Sequence, residues 1–201
     1  MDALPVKAFI FDADGVIINA ERFSERYARD FSVPNETMLP FFTGTFQDCL
    51  VGKADLKKEI AKHLPEWNWK GSADEFLDYW FRAEHKIDQE LVDCIKDLRA
   101  KGIVCCLATN QEKYRTEYIL HRMGFDRVFD RIYSSARIGH KKPDNRFFRH
   151  IIDDLKLRPE EIMVWDDTPG HIESAIAIGL MGHVYTTFPD FMVALRDIHV
   201  V

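Results

Sequence analysis

The sequence predicts an α/β fold: a Rossmann-like parallel sheet with helices on both faces, plus a small all-helical cap domain. Three observations predict it. Residues 6–11 form an almost continuous apolar run, broken only by Lys7, as expected for a strand covered on both faces. From Asp88 onward helical and strand-like segments alternate, the pattern of units that build a parallel sheet. Between them, residues 18–86 carry helical periodicity and no strand signal, which reads as an insertion. The expected division is a core of 1–17 and 87–201 with an inserted cap of 18–86.

The first strand ends at Asp12. In the cap, helical spacing recurs over 22–31, over 54–64, and over 72–85, where Phe76, Leu77, Tyr79, Trp80 and Phe81 fall. A helix from about Asp88 stops at Lys101, with Gly102 suited to a C-terminal cap. Strand 103–108 follows, then helix 112–123 closed by Gly124, and a short strand over 132–134. Helix 145–155 leads through Arg158-Pro159 into strand 162–165. Helix 170–178 ends at Gly179, strand 183–186 follows, and Pro189 opens a last helix. There is no internal repeat, low-complexity tract or flexible linker.

At 201 residues the chain suits one domain of ordinary size, or a core with a small insertion. A formal charge of −6, with no dense Lys/Arg block, argues against a nucleic-acid partner. The four cysteines, Cys49, Cys94, Cys105 and Cys106, lack metal spacing, and the adjacent pair sits in an apolar run where thiols act as small hydrophobes. Residues 1–7 lack the pattern of a secretory leader, and no apolar run approaches the length of about 18 residues that argues for a membrane span. The expectation is a reduced, cytoplasmic protein with no membrane or nucleic-acid partner.

Four strand-like runs end in residues that phosphoryl-transfer chemistry uses, and in open parallel sheets the ligand crevice lies beyond the carboxyl ends of the strands. Asp12 and Asp14 come first. An aspartate past a strand can attack phosphorus, and a second carboxyl two residues on can protonate the leaving oxygen and then activate water. Gly15 lets the chain turn away. The structural alternative is an Asp-Gly turn. Asp166 and Asp167 follow strand 162–165, where they also suit a helix N-cap and first turn before Pro169. Beside Asp12 they suit a hard divalent cation, without which clustered carboxylates repel a phosphate dianion.

Thr109 and Asn110 either cap the following helix or hold phosphate oxygens at its start. Lys142, before Pro143, is either a solvated charge or the cation that offsets the carboxylates and the phosphoryl oxygens, with Lys141 as a possible substitute. Each feature has an ordinary explanation alone. Their joint occurrence, in this order at the ends of one sheet, predicts a phosphoryl-transfer site.

Asp12-Ala13-Asp14-Gly15-Val16, Leu107-Ala108-Thr109-Asn110, Lys142-Pro143-Asp144 and Val164-Trp165-Asp166-Asp167 resemble, in order, the motifs of the haloacid dehalogenase superfamily. Within it, the phosphatase and phosphoglucomutase-like branch has a helical cap after the first motif. The resemblance covers essentially the whole chain. It implies Asp12 as nucleophile, Asp14 as acid and base, and Thr109, Asn110 and Lys142 as phosphate-binding residues. It also implies Mg²⁺ held by an Asp12 oxygen, the Asp14 backbone carbonyl and Asp167, with Asp166 helping through a water. Family members often carry another acid where this chain has His171.

Expelling an alkoxide needs a proton and expelling halide does not, so Asp14 favours phosphate-ester chemistry over dehalogenation. The expected activity is a Mg²⁺-dependent phosphatase acting on a small phosphorylated metabolite through an aspartyl phosphate. The alternatives are a phosphomutase, distinguished by its cap and by exclusion of water, and a non-catalytic binding module on the same fold. A phosphonate-cleaving relative needs a cap lysine able to form a Schiff base, for which Lys53, Lys57 and Lys58 are available. The cap aromatics Phe41, Phe42, Phe46, Trp67, Trp69, Tyr79, Trp80 and Phe81 are expected mainly to pack one another. Asn19, Arg22, Thr43, Thr45 and Lys53 are polar candidates for substrate choice. The sequence does not determine an oligomeric state.

Overall fold

The computed structural model describes residues 6–198. The leader reading therefore rests largely on residues outside those described. Strand β1 (Ala8–Phe11) is buried at every position. Phe9 and Phe11 enter one apolar cluster with helices α6 (Gln89–Ala100) and α11 (Phe188–Asp197). Ala8 and Ile10 enter another with α9 (Asn145–Leu155) and α10 (Pro169–Ile176). Two covered faces explain the missing polar alternation.

Strands β2 (Val104–Thr109), β3 (Arg131–Ser134), β4 (Ile162–Asp166) and β5 (Met181–Val184) complete a parallel sheet in the order β3-β2-β1-β4-β5. Phe11 pairs with Leu107 on one side and Trp165 on the other. That register brings Asp12, Thr109 and Asp166 out along one edge of the sheet, where the strand order reverses.

The cap comprises α1 (Phe23–Phe31), α2 (Asn35–Thr43), α3 (Thr45–Leu50), α4 (Leu56–Ile60) and α5 (Ala73–Ala83). Ser72 and Glu75 form a reciprocal capping box that starts α5. Phe23, Tyr27, Phe41, Trp67, Phe76 and Trp80 bury one another in a core separate from that of the sheet. Tyr27 Oη, buried among these rings, donates to Trp67 O at 2.8 Å. Two adjacent connections join cap and sheet: Asn19 N donates to Lys86 O and Asp88 N to Ile17 O, both at 2.9 Å. Cap and core also meet where Lys113 Nζ and Tyr114 Oη donate to Asp55 Oδ2, at 2.5 and 2.9 Å.

Several elements depart from the sequence expectation. Helices α2 and α3 were not anticipated, because Pro40 lies inside α2 and Gly44 separates the two. The helix expected over 54–64 is only α4, followed by turns. The helix expected over 112–123 starts later and changes type. The Glu112 side chain accepts from Tyr114 N and Arg115 N, starting α7 (Lys113–Glu117), after which Tyr118–Arg122 widens into a π-helical turn closed by Met123 N to Tyr118 O at 3.1 Å. Ser135–Ile138 forms an extra turn, α8. The last strand is β5 rather than 183–186. Gly182 packs directly beneath Ile172 and Ile176 in that strand, and Thr187 is already the N-cap of α11.

Cys49, Cys105 and Cys106 are buried, and Cys94 is half-buried; all four are free thiols. Among the described residues, no helix is long and apolar enough to cross a membrane.

Candidate active site

Asp12 emerges from β1 with its N–H donating to Trp165 O at 2.9 Å, and its Oδ1 accepts from Ala13 N at 2.7 Å. Lys142 Nζ lies 2.9 Å from Asp12 Oδ1 and 2.6 Å from Asp166 Oδ2, with all three residues buried. Asn110 sets this lysine in place. Its Nδ2 donates to Lys142 O and its Oδ1 accepts from Lys142 N, both at 2.9 Å. The polar atoms of Asn110, expected to bind substrate, are thus engaged by the Lys142 backbone. Lys141 points elsewhere and donates to Gln47 Oε1 of the cap.

Burial pushes the Asp12 carboxyl well above the usual carboxylate range, and Lys142 offsets this only partly, against repulsion from Asp166. Burial also opposes charge on Asp166, but hydrogen bonding from His171 and the Lys142 charge outweigh it and hold that carboxyl low. Lys142 in turn is kept above its ordinary value: burial works against its charge, and Asp12 and Asp166 overcome that. One ammonium therefore serves two buried carboxylates. A nucleophilic Asp12 is ionised, and further positive charge beside it favours that form.

Asp166 has its partners on both oxygens. Oδ1 accepts from Thr168 N at 2.9 Å and lies 3.0 Å from His171 Nδ1, while Oδ2 takes Lys142. Ligand atoms of Asp12, Asp166 and His171 lie within 4.8 Å of one another, a spacing compatible with a cation. The Lys142 ammonium already bridges two of them. Asp167 is exposed instead, makes no ion pair among the described residues, and rests against Gly15, where its Oδ2 lies 2.1 Å from the place a Cβ would occupy. Gly15 holds φ +79°, so both its conformation and its missing side chain permit that approach. Hard carboxylate oxygens and no thiol suit Mg²⁺.

Asp14 stands across the same loop. Gln111 Nε2 donates to its Oδ2 at 2.5 Å and Arg115 Nη2 lies 4.0 Å from its Oδ1. Its side chain is 54% exposed, yet the walls of the cleft still disfavour its charge and raise its pKa, while Arg115 and Gln111 pull it back. Thr109, buried at the end of β2, completes the group; Glu112, not Thr109 or Asn110, caps the helix that follows. Asp12, Asp14, Thr109, Asn110 and Asp167 line a cavity of about 500 Å³ that Glu21, Arg22 and Glu84 also line. A larger groove of about 660 Å³ between α6 and α11 contains none of these residues. Gln111, Arg115 and Glu84 escaped the sequence reading. The one available signal was Gln111 directly after Thr109-Asn110, with Arg115 one helical turn beyond.

A buried aspartate at a strand end, a lysine bridging it to a second acidic loop, and a carboxyl two residues on thus meet beyond the carboxyl ends of the parallel strands. Residues 6–179 match the family of haloacid dehalogenase-like hydrolases, and the chain belongs to that family. It is 22% identical over 192 residues to a phosphorylated carbohydrates phosphatase of Thermotoga maritima, covering 87% of this chain and 82% of the relative. It is 24% identical over 184 residues to a D-ribitol-5-phosphate phosphatase of Bacteroides thetaiotaomicron, covering 87% and 89%. A crystal structure of a family enzyme from that organism, in complex with magnesium and inorganic phosphate, superposes with a TM-score of 0.80 at 19% identity, covering 95% of this chain and 100% of the other.

Proposed function

We propose that the protein is a Mg²⁺-dependent phosphatase of a small phosphorylated carbohydrate, acting through an aspartyl phosphate on Asp12. The observation that carries this reading is the buried Asp12–Lys142–Asp166 arrangement, with Asp12 opening into the same cavity as Asp14. The names of the two phosphatase relatives support a carbohydrate phosphate as substrate.

An Asp12 carboxylate oxygen attacks phosphorus; the new oxygen–phosphorus bond forms as the bond to the alcohol oxygen breaks. Asp14 gives its proton to that oxygen, so an alcohol leaves rather than an alkoxide. Asp14 then takes a proton from water, whose oxygen attacks phosphorus and breaks the bond to Asp12, leaving inorganic phosphate and free enzyme. Lys142 and the Thr109 hydroxyl stabilise charge on the phosphoryl oxygens, and Asn110 keeps Lys142 aimed. Magnesium, held by an Asp12 oxygen, the Asp14 carbonyl and Asp167, would supply the positive charge that keeps Asp12 ionised and binds phosphate.

The test is release of inorganic phosphate from a panel of sugar, polyol and other small phosphate monoesters, with and without Mg²⁺. Metal-dependent release by wild type and none by Asp12→Asn is expected. Equal turnover by the two proteins refutes the assignment.

A further inference from the structure

Arg115 is a buried cation that the reaction above does not use. It is 2% exposed, and its guanidinium carbon lies 5.4 Å from the Phe81 ring centre and 5.6 Å from that of Tyr118. Nη1 donates to Phe81 O at 3.1 Å. Nε and Nη2 are buried and have no hydrogen-bond partner. Buried donors without a hydrogen bond are costly, and a native chain that retains them needs a reason. Nη2 faces two carboxylates, at 3.4 Å from Glu84 Oε2 and 4.0 Å from Asp14 Oδ1.

The two carboxylates belong to different parts of the molecule. Asp14 sits on the loop after β1. Glu84 follows α5, two residues before Lys86 in the connection to the cap, and its Oε1 accepts from Phe23 N at the start of α1 at 3.2 Å. Arg115 itself is on α7, in the core. One guanidinium therefore lies between the Asp14 carboxyl, at 4.0 Å, and Glu84, which fastens the first cap helix to its hinge, at 3.4 Å. Gln111, one turn before Arg115, holds the other oxygen of Asp14.

We propose that Arg115 is a positioning residue that orients Asp14 for proton transfer and ties that orientation to the cap hinge through Glu84. The proposal rests on the reading of Asp14 as the proton donor. A movement of about 1 Å brings the contact with Asp14 from 4.0 Å into hydrogen-bond range. Misplacement of a reacting group by that amount costs on the order of 10²-fold in rate. A role limited to pinning α5 against α7 leaves proton transfer no more affected than any other step.

Two substrates separate these roles. Glycerol phosphate expels an alkoxide that must be protonated, whereas p-nitrophenyl phosphate expels a stable phenolate without a proton. Variants are Arg115→Lys, which keeps the charge and loses the fork, and Arg115→Met with Glu84→Gln, which removes the buried Glu84 charge together with its cation. For the double variant, kcat on glycerol phosphate should fall on the order of 10²-fold with KM within about twofold of wild type. The first-turnover burst of p-nitrophenol should stay near the wild-type rate. Arg115→Lys should show the same selective loss, smaller in size, and it carries the comparison if the double variant does not fold. Equal losses on both esters, or an unchanged kcat on glycerol phosphate, overturn the proposal. Asp12→Asn is assayed alongside: turnover equal to wild type overturns the phosphatase reading itself, whereas its inactivity leaves the Arg115 result to stand or fall alone.

Discussion

Replacing Gly15 with alanine probes the contact between the two acidic loops. A Cβ at this position lies 2.1 Å from Asp167 Oδ2 and 2.6 Å from its Cγ. Non-bonded heavy atoms settle near 3.5 Å or beyond, so the carboxylate must retreat by more than about 1 Å. The backbone adds a second cost, because φ +79° suits glycine and strains alanine by about 1–2 kcal/mol. Urea unfolding should therefore show Gly15→Ala less stable by about that amount. Phosphate release titrated with Mg²⁺ should show the half-saturating metal concentration raised about tenfold or more, as expected when a ligating carboxylate is displaced. Asp167→Asn should raise the metal requirement in the same direction without the backbone penalty. A wild-type magnesium requirement in Gly15→Ala would refute the placement of Asp167 at the metal.

Lys142→Met removes the ammonium that bridges Asp12 and Asp166 and should cost about 3–5 kcal/mol in urea unfolding, as well as nearly all turnover; a loss below about 1 kcal/mol would mean the pair is solvated. Asp55, bound by Lys113 and Tyr114 across the cap–core seam, is held down at about 2 from a usual 3.8, mainly by the Lys113 hydrogen bond. Because its folded value is depressed, this contribution is full above about pH 4 and is lost as pH falls towards 2. Asp55→Asn should accordingly be about 1 kcal/mol less stable than wild type at pH 7, a small figure because solvent screens the pair. The gap should close as unfolding is measured at successively lower pH below 4, and a gap independent of pH would contradict the assignment.

The elements most legible in the sequence were those whose local signals agreed. The expected helix 145–155 has the bounds of α9, because Asp144 caps it and Phe147, Phe148 and Ile151 fall on one buried face. The strands β1 and β4 were visible because burial on both faces leaves an apolar run, which in β4 stops only at Asp166. Where local and tertiary demands differ, the sequence misled. Pro40 reads as a breaker yet lies inside α2 beside buried Met38 and Phe41, whose packing outweighs propensity. Gly182 carries no strand preference, and its place in β5 is set by the isoleucines of α10 above it.

The site followed the same division. Asp12, Asp14, Thr109, Lys142, Asp166 and Asp167 were readable because each lies at or just after a strand or in a proline-marked turn. Gln111, Arg115 and Glu84 were not, since no period in the chain links residue 84 at the end of a cap helix with residues 14, 111 and 115. Only the packing of α5 against α7 brings them together. Asn110 was readable as a site residue, but its engagement with the Lys142 backbone requires the structure.

In the proposed reaction Asp12 carries the phosphoryl group. The most direct measurement is a single turnover with excess enzyme over a reactive phosphate monoester, quenched in acid within the first turnover and followed by peptide mass spectrometry. A phosphorylated peptide containing Asp12 is expected, appearing before inorganic phosphate and decaying as phosphate is released. Release of phosphate with no phosphorylated peptide at any time would contradict that reaction, and so would phosphorylation at another residue.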